Sequence, residues 1–440
     1  MKTKIFNSIF KSLLIFFLFL GTSNLYAQTS DTTIVKSMTI NEGDVVYVQS
    51  SNFAISIQTW EKNEVNVQYD LFVEAESQKE VEDFLQAFNH FVDDRLHEKG
   101  KISISDYFKL VDRSNKKVKV RFEKGGATFH LKELNGVIII KMPKSNPLNA
   151  TSTFQELEIE DLTADATISV NSASFKMGNC RNLNLTSSFS RKMKIGNAES
   201  AKINVNSSDL KMGIVKTDLT LKGSFSDVEI AAIGNSATVN LNSSSFVTTN
   251  LKQLNFEGSF VRNFSVGNVD IAEVRLNSSE FKAKKINSLD VASASFSTFR
   301  IDDVGELQIK SSSSNKFYIE NLSSLEAKTC SFSNFTIGQL KKRFVTSSNS
   351  GNINIENVLP GFDEIRIIGT FVTTDIHVTE GSNYNVRADF QFPNYRFKNV
   401  TYNKHDVDMS HETIEGWSGN KEKAISKIDL NCQSCKVTLD

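Results

Sequence analysis

Residues 299–340 read FRIDDVGELQIKSSSSNKFYIENLSSLEAKTCSFSNFTIGQL, in which Phe299, Phe317 and Phe335 follow one another at intervals of 18 residues. The same apolar position recurs every 17 or 18 residues from Leu157 to Ile353. A fixed period of this length is typical of a solenoid, in which each coil buries its apolar face by stacking on its neighbours. The sequence therefore predicts one continuous stack of coils.

Two apolar columns, five residues apart, run through the repeat. The first column consists of Leu157, Phe175, Met193, Leu210, Val228, Phe246, Phe264, Phe281, Phe299, Phe317, Phe335 and Ile353. The second column consists of Leu162, Cys180, Ala198, Val215, Ile233, Leu251, Val269, Ile286, Val304, Leu322, Leu340 and Val358. An apolar residue two places after the first column, as in Phe335-Thr-Ile337, puts both side chains on one face of a short strand. Because the connections are too short for helices, we predict an all-β fold, a parallel β-helix of about 12 coils with ~18 residues per coil.

Phe and Ser alternate three or four residues before the first column. Phe154, Phe189, Phe225, Phe260, Phe296 and Phe332 are separated by Ser172, Ser207, Ser243, Ser278 and Ser314, with Ser350 after them. We interpret this as a two-coil unit, in which a bulky Phe covers the smaller residue of the next coil, as close packing favours. A single turn of 36 residues is the competing interpretation. The many Ser and Asn residues between strands predict polar ladders at the corners, or alternatively a sugar-binding surface.

The first 27 residues have the pattern of a secretory signal peptide. A Lys-containing start precedes the apolar run Leu13–Leu20, and a cleavage site follows Ala27. We therefore expect export to the periplasm, the cell surface or the extracellular space, with no transmembrane segment. Removing three Lys from 50 Lys+Arg, against 51 Asp+Glu, leaves a mature net charge of about −4. This mild acidity gives no reason to expect a nucleic acid as partner.

The mature chain is predicted to contain three parts. Residues 28–147 form a β-rich domain with one helix at about 77–92, which begins at the capping box Ser77-Gln-Lys-Glu80. Residues 148–370 contain the repeats. Residues 371–440 form a C-terminal β cap, because a solenoid needs atypical ends that hide its exposed edge.

The four Cys residues do not predict a disulfide scaffold or a cofactor site. Cys180 and Cys330 are interpreted as small buried residues. Cys432 and Cys435 form a CxxC without a nearby helix that would lower a thiol pKa, and without the second ligand pair that zinc would need. They form either a local disulfide or two unpaired thiols.

Acidic and His residues supply no catalytic or metal-binding pattern. A polysaccharide lyase or glycosidase would require two carboxylates at a set separation, or a Ca²⁺ site with a basic residue. The densest acidic spots, Asp302-Asp303 and Glu158/Glu160-Asp161, do not recur in adjacent coils, and we interpret them as solvated turn charges. The one spot to inspect for a metal is a polar loop that contains His405, Asp406, Asp408 and His411. We predict no catalytic residues, metal ligands or cofactors.

Several segments of the mature chain match a known pattern. They are Ile55–Val67, which contains Trp60-Glu-Lys-Asn-Glu-Val65, then Val73–Ser77, Val137–Ser145, Phe264-Ser-Val-Gly-Asn-Val269, Phe335–Leu340, Ile428-Asp-Leu430 and Val437-Thr-Leu439. In these segments the chain resembles secreted, adhesin-type β-solenoid proteins of Bacteroidetes, a domain family of unknown function. Where many relatives carry Tyr or Gly in the turns, this chain has Ser and Phe.

The resemblance implies an exported, non-enzymatic adhesin or an envelope binding or scaffold protein. Its partner would be an envelope polysaccharide or a surface or membrane protein. Two alternatives remain open at this point. One is a β-helix polysaccharide lyase or glycosidase, and the other is a regulatory partner that reports envelope stress.

Overall fold

The computed structural model describes residues 28–98, 101–114, 117–122 and 127–440. They divide into two compact units, one ending at Pro143 and one running from Lys144 to Asp440. The signal peptide predicted for residues 1–27 lies outside the described residues. Strands make up 71% of the structure, and the predicted fold class, a parallel β-solenoid with one helix in the N-terminal unit, is confirmed.

The first unit contains ten described strands and one α-helix. They are β1 Gln28–Thr39, β2 Val46–Ser50, β3 Ala54–Trp60, β4 Glu64–Ala75, α1 Gln78–Arg95, β5 His97–Glu98, β6 Lys101–Ser105, β7 Phe108–Ser114, β8 Lys117–Phe122, β9 Thr128–Leu131 and β10 Glu133–Pro143. Strand β4 pairs antiparallel with β1 and β10, and β10 pairs parallel with β3. Strands β7, β8 and β9 form a separate antiparallel sheet.

Helix α1 begins where the sequence predicts it. The Ser77 hydroxyl accepts a hydrogen bond from the Glu80 backbone N–H at 3.3 Å, which satisfies one donor of the first turn. The helix buries Phe84 and Phe88 among aromatic rings of this unit, and the Phe84 and Phe122 centroids lie 5.7 Å apart. The helix therefore packs through an aromatic core, as its apolar spacing indicates.

The second unit is a stack of coils made of the remaining strands. They are β11 Leu148–Thr153, β12 Leu157–Ile159, β13 Ala166–Asn171, β14 Phe175–Met177, β15 Cys180–Ser188, β16 Met193–Ile195, β17 Ala198–Asn206, β18 Asp209–Val215, β19 Asp218–Ser224, β20 Asp227–Ile233, β21 Ser236–Asn242, β22 Ser245–Val247, β23 Leu251–Ser259, β24 Asn263–Asn277, β25 Glu280–Ser295, β26 Thr298–Ile309, β27 Ser312–Ser313, β28 Lys316–Ser331, β29 Asn334–Val358, β30 Glu364–Val378, β31 Tyr384–Gln391, β32 Tyr395–Phe397, β33 Thr401–Asp408, β34 His411–Ser418, β35 Ser426–Gln433 and β36 Lys436–Leu439. A short 3₁₀ helix, Lys421–Lys423, precedes β35.

Each coil is one repeat long. Leu210 pairs with Val228, and Phe299 pairs with Phe317, in parallel register. The 36-residue turn is therefore wrong, because every strand of the repeat lies against the strand of the next 17- or 18-residue copy. All members of both predicted apolar columns are buried.

Phenylalanine rings of the first column stack inside the coils. The ring centroids of Phe299 and Phe317 lie 4.6 Å apart, and those of Phe317 and Phe335 lie 4.9 Å apart. These distances match the separation of paired strands, about 4.8 Å, so each ring covers the ring of the next layer.

A ladder of buried hydroxyls runs along one corner of the coils. The Ser226 hydroxyl accepts a hydrogen bond from the backbone N–H of Ser208, one layer earlier, at 3.1 Å. It donates to the Ser224 carbonyl of its own layer at 2.8 Å. Ser244 and Ser279 repeat the arrangement in other layers. Each hydroxyl thus satisfies a buried backbone group that the turn removes from the strand ladder.

The stack continues past residue 370, where the regular spacing breaks. Strand β30 pairs parallel with β29, and the extra residues of the segment 359–363 form a turn at Gly361. Strand β35 pairs parallel with both β30 and β31, so the C-terminal segment lies between two layers that precede it in the chain. Strands β33 and β34 then form an antiparallel hairpin on β31. The segment predicted as a cap therefore contains further coils. In the order of the layers, the β33–β34 hairpin comes last.

Within the part of the chain that the structure describes, no helix has the length and apolar character needed to cross a membrane.

We expect the Ser226→Ala variant to lose about 2 kcal/mol in the free energy of unfolding, because the buried N–H of Ser208 is left without its acceptor. The measurement is equilibrium urea unfolding followed by circular dichroism. The control is Ser243→Ala, since the Ser243 hydroxyl bonds only to the exposed Asn242 side chain. That variant should stay within about 0.5 kcal/mol of the parent protein. Equal losses in both variants would show that the hydroxyl ladder does not hold the layers.

Candidate functional site

Fifteen corners of the second unit share one backbone conformation. The corner residue has a φ between 49° and 66°, in the left-handed region that bulky side chains rarely adopt. In the order of the layers these residues are Phe154, Ser172, Phe189, Ser207, Phe225, Ser243, Phe260, Ser278, Phe296, Ser314, Phe332, Ser350, Phe371, Ser434 and Phe392. Phe and Ser alternate without a break, and the inserted C-terminal segment supplies the Ser between the last two Phe. We call the eight Phe residues the Phe ladder.

The rings of the Phe ladder face solvent. Their side chains are between 54% and 69% exposed, whereas all but one of the Ser residues between them are half-buried. The predicted alternation of large and small residues is confirmed. Its interpretation as interior packing is wrong, because the residue after the corner, such as Ser226 after Phe225, takes the inward position. The ladder is the largest regular set of exposed apolar side chains in the described residues.

The two positions that directly flank each corner residue carry no charge. None of the fifteen corners has Asp, Glu, Lys or Arg at the position before or after the corner residue, in a chain with 23% charged residues. Asn206-Ser207-Ser208 and Ser224-Phe225-Ser226 are representative. Aromatic enrichment together with charge depletion is typical of the core of a protein interface. Two positions after the corner residue, eight of the fifteen corners carry a charged side chain, and four of these are acidic and four basic. The ladder is therefore an uncharged stripe beside charges of mixed sign.

The spacing of the rings follows from the layers. Adjacent layers are about 4.8 Å apart, so neighbouring rings of the Phe ladder are separated by about 9.6 Å. A left-handed conformation costs an L-residue such as Phe roughly 1–2 kcal/mol, and Gly or Asn would adopt it more easily. Backbone strain of this kind concentrates at functional sites. The seven Ser residues share this conformation, so the exposure of the eight Phe rings, and not the strain alone, marks the ladder as a candidate surface.

Six of these Phe residues are recognisable in the sequence by their spacing, which on its own favours a role in packing. The signal that points outward is the Ser that follows most of them, since a small polar residue can occupy the inward position and bond to the backbone. Phe371 and Phe392 were missed because the chain spacing changes after Pro360. Only the layer order brings them into the ladder.

The CxxC lies at one of these corners. Cys432 and Cys435 occupy the positions two before and one after the corner residue Ser434, and both sulfur atoms lie against Gly369. In another layer these positions are held by Ser312 and Asn315, whose side chains are hydrogen-bonded at 2.8 Å. The two thiols are buried and are not joined by a disulfide bond in this structure. A hydrogen bond between them raises the pKa of Cys432 and lowers that of Cys435.

The other two Cys residues are buried in the coils, as predicted. Burial raises the pKa of Cys180 to about 12 and that of Cys330 to about 11. Because the thiolate is the reactive form, neither thiol is suited to nucleophilic or redox chemistry.

The candidate metal-binding segment, which contains His405, Asp406, Asp408 and His411, belongs to the β33–β34 hairpin. Its side chains contact different partners and do not converge on one point. His405 Nε2 lies 3.3 Å from Glu412 Oε2, whereas His411 Nε2 lies 2.8 Å from Asp389 Oδ1. The Asp406 carboxylate is 2.9 Å from Lys404 Nζ. No group of three His, Cys, Asp or Glu residues suited to a metal occurs in the described chain.

The acidic spots of the repeat are surface charges with local partners. Glu158 lies 2.5 Å from Lys176, and Asp161 accepts a hydrogen bond from the Asn179 backbone at 2.6 Å. Asp302 is exposed, and Asp303 is half-buried beside Lys285 of the preceding layer. The Glu158 and Asp161 carboxylates are thus used in contacts with the next layer.

A shallow groove of about 320 Å³ lies near the end of the stack. Its lining includes Asp389, Gln391, His411, Asn431 and Cys432. It contains a single carboxylate and no Lys or Arg. The groove therefore lacks the paired groups that glycoside hydrolysis or lyase chemistry requires.

We expect the Phe225→Asn variant to be as stable as the parent, or more stable by roughly 1 kcal/mol, because Asn tolerates the left-handed conformation better than Phe. Little burial is lost, since the Phe225 side chain is 65% exposed. Urea unfolding measures the change. The comparison is Phe281→Ala, which empties a buried position and should cost about 3–5 kcal/mol. A loss for Phe225→Asn that approaches this value would place the ring in a structural role.

The disulfide between Cys432 and Cys435 stays a prediction. On incubation with oxidised glutathione, the two thiols should form one S–S bond, and their two electrons and two protons pass to the glutathione disulfide. After unfolding and alkylation, mass spectrometry should then find two of the four Cys residues blocked. In the Cys435→Ser variant all three remaining thiols should be alkylated. Alkylation of all four in the oxidised parent protein would contradict the prediction.

The sequence matches no protein-family model and no curated protein. Two solved structures are similar to the chain over much of its length. One is a "putative cell adhesion protein" from Clostridium sporogenes, with 7% identity and a TM-score of 0.14, over 93% of this chain and 99% of that chain. The other is a "putative adhesin" from Parabacteroides merdae, with 13% identity and a TM-score of 0.19, over 78% of this chain and 95% of that chain. At these values neither similarity bears on the function of this protein.

Proposed function

We propose that this protein is an exported, non-enzymatic binding protein of the adhesin type, which acts in the cell envelope or at the cell surface. The Phe ladder is its binding surface. The observation that supports this proposal is the row of eight exposed rings, in a strained conformation, whose directly flanking positions carry no charge. Signal-like residues 1–27 support export.

A ladder of this kind binds through many equivalent contacts. Each ring offers an apolar face of limited area, and the rigid coils hold all eight rings in a fixed row. A partner with matching spacing can contact many rings at once, so that weak single contacts sum to a stable attachment. This arrangement suits adhesion to an extended or repetitive surface, and no reaction is needed.

The experiment compares adhesion of beads coated with residues 28–440. Three targets are offered to these beads. They are other beads coated with the same protein, a panel of envelope polysaccharides, and immobilised envelope proteins. We expect the triple variant Phe225→Ser/Phe260→Ser/Phe296→Ser to lose adhesion at least about 10-fold, because central aromatic residues dominate binding at interfaces. Ser already occupies this conformation in the alternate layers, so the fold should be retained.

The matched control is Ile214→Ser/Ile271→Ser, which removes two exposed apolar side chains away from the corner. This variant should adhere like the parent protein. Equal losses in both variants would contradict the proposal. So would turnover of a defined glycan by the purified parent protein.

A further inference from the structure

The Phe ladder leaves a regular series of empty slots. Inside the coils, rings in adjacent layers stack with centroids 4.6–5.8 Å apart, from Phe246 to Phe335. On the outer corner the rings occupy only alternate layers, about 9.6 Å apart, and a Ser lies between each pair. Each Ser layer therefore has room for one further ring at the normal stacking distance.

A partner that fills these slots must itself present apolar groups with a spacing of about 9.6 Å, displaced by one layer. The Phe ladder is such a set of groups. We propose that the partner is a second copy of this chain, and that the rings of each copy insert at the Ser layers of the other. This inference rests on the proposed function, because it identifies what the binding surface holds.

Symmetry determines how the two copies align. A two-fold axis parallel to the stack would place each Phe opposite the same Phe, which blocks insertion. A two-fold axis perpendicular to the stack makes the copies antiparallel and gives a closed pair with equivalent surfaces. With full overlap of the antiparallel copies, the first layer of one copy lies opposite the last layer of the other. Both of these layers carry a Phe, namely Phe154 and Phe392, so each Phe would again lie opposite a Phe. A shift of one layer removes this clash and places the axis beside Ser278, at the middle of the ladder.

The area involved is sufficient for a stable pair. A Phe side chain contributes about 200 Å², so eight rings that are about three-fifths exposed present on the order of 1,000 Å² per copy. A standard protein interface buries about 800 Å² per partner. The positions directly flanking the rings and the Ser layers are uncharged, and the charged side chains two positions after the corner residues are four acidic and four basic. Neither copy therefore presents a surface of a single sign of charge to the other.

Sedimentation equilibrium of residues 28–440 tests the pairing. We expect a dimer at micromolar concentration, and at least about 100-fold weaker association for Phe225→Ser/Phe260→Ser/Phe296→Ser. The decisive variant is Ser207→Phe/Ser243→Phe/Ser278→Phe, which fills three slots with rings. Insertion predicts that this variant also associates at least about 10-fold more weakly, although it exposes more apolar surface. The control Ile214→Ser/Ile271→Ser should dimerise like the parent.

The alignment is tested by cross-linking. In the antiparallel pair, the two copies of Ser278 lie within about one layer of each other along the stack, whereas those of Ser172 are separated by roughly 50 Å. A short bis-maleimide should therefore link Ser278→Cys dimers and leave Ser172→Cys unlinked. The native thiols are buried and serve as the background. Equal linking at both positions would overturn the antiparallel arrangement.

The remaining outcomes separate this inference from the proposed function. A parent protein that stays monomeric at about 100 μM while its beads adhere to a polysaccharide through the ladder would overturn the pairing and keep the binding function. Stronger association of the Ser→Phe variant would show nonspecific adhesion of exposed rings and would also overturn insertion. A dimer whose beads adhere to one another but to no polysaccharide and no envelope protein would support the pairing and contradict the adhesin function.

Discussion

The layer-to-layer hydrogen bonding at the corners is the constraint on which the second unit depends. A coil must leave one strand and enter the next within a few residues, and each turn removes backbone groups from the strand ladder. Buried hydroxyls such as that of Ser226 replace these partners by accepting from the layer before and donating within their own layer. Because the hydroxyl must lie inside, the preceding residue is forced outward in a left-handed conformation. The outward direction of the corner residue is thus a consequence of how the corner satisfies its own backbone, which does not itself require a Phe at that position.

This coupling explains which features the sequence predicts well. Periodic burial identifies the two apolar columns, since stacked coils repeat the same environment at each position. The helix at Gln78–Arg95 is predicted by its cap and its apolar stripe. The outward direction of Phe225 is harder to predict, because hydrophobic character normally indicates burial and one residue of displacement reverses the side of the chain. The position of strand β35 between β30 and β31 cannot be read from periodicity, because the pairing is not between consecutive segments.

The two phenylalanine columns of the second unit have opposite roles, although both follow the same repeat. Rings such as Phe317 are fully enclosed, and their stacking stabilises neighbouring layers. The ladder rings contribute little to that core, and the strained corner conformation is common to the Phe and the Ser layers. A repeat that retains an exposed ring in every second layer resembles a functional site distributed over the whole length of the stack.

The insertion of β35 between β30 and β31 has a consequence for biogenesis. Most of the stack can form as the polypeptide emerges, one layer on the next, since each contact joins segments close in sequence. The final layers cannot close in that order, because β31 is synthesised before the strand that must lie beneath it. Until Gln433 has been delivered, β30 presents an unpaired edge on which another chain could add a strand. The folding of this unit is therefore completed only by its last segment, and a prematurely terminated product would be expected to aggregate rather than to accumulate as a shortened stack.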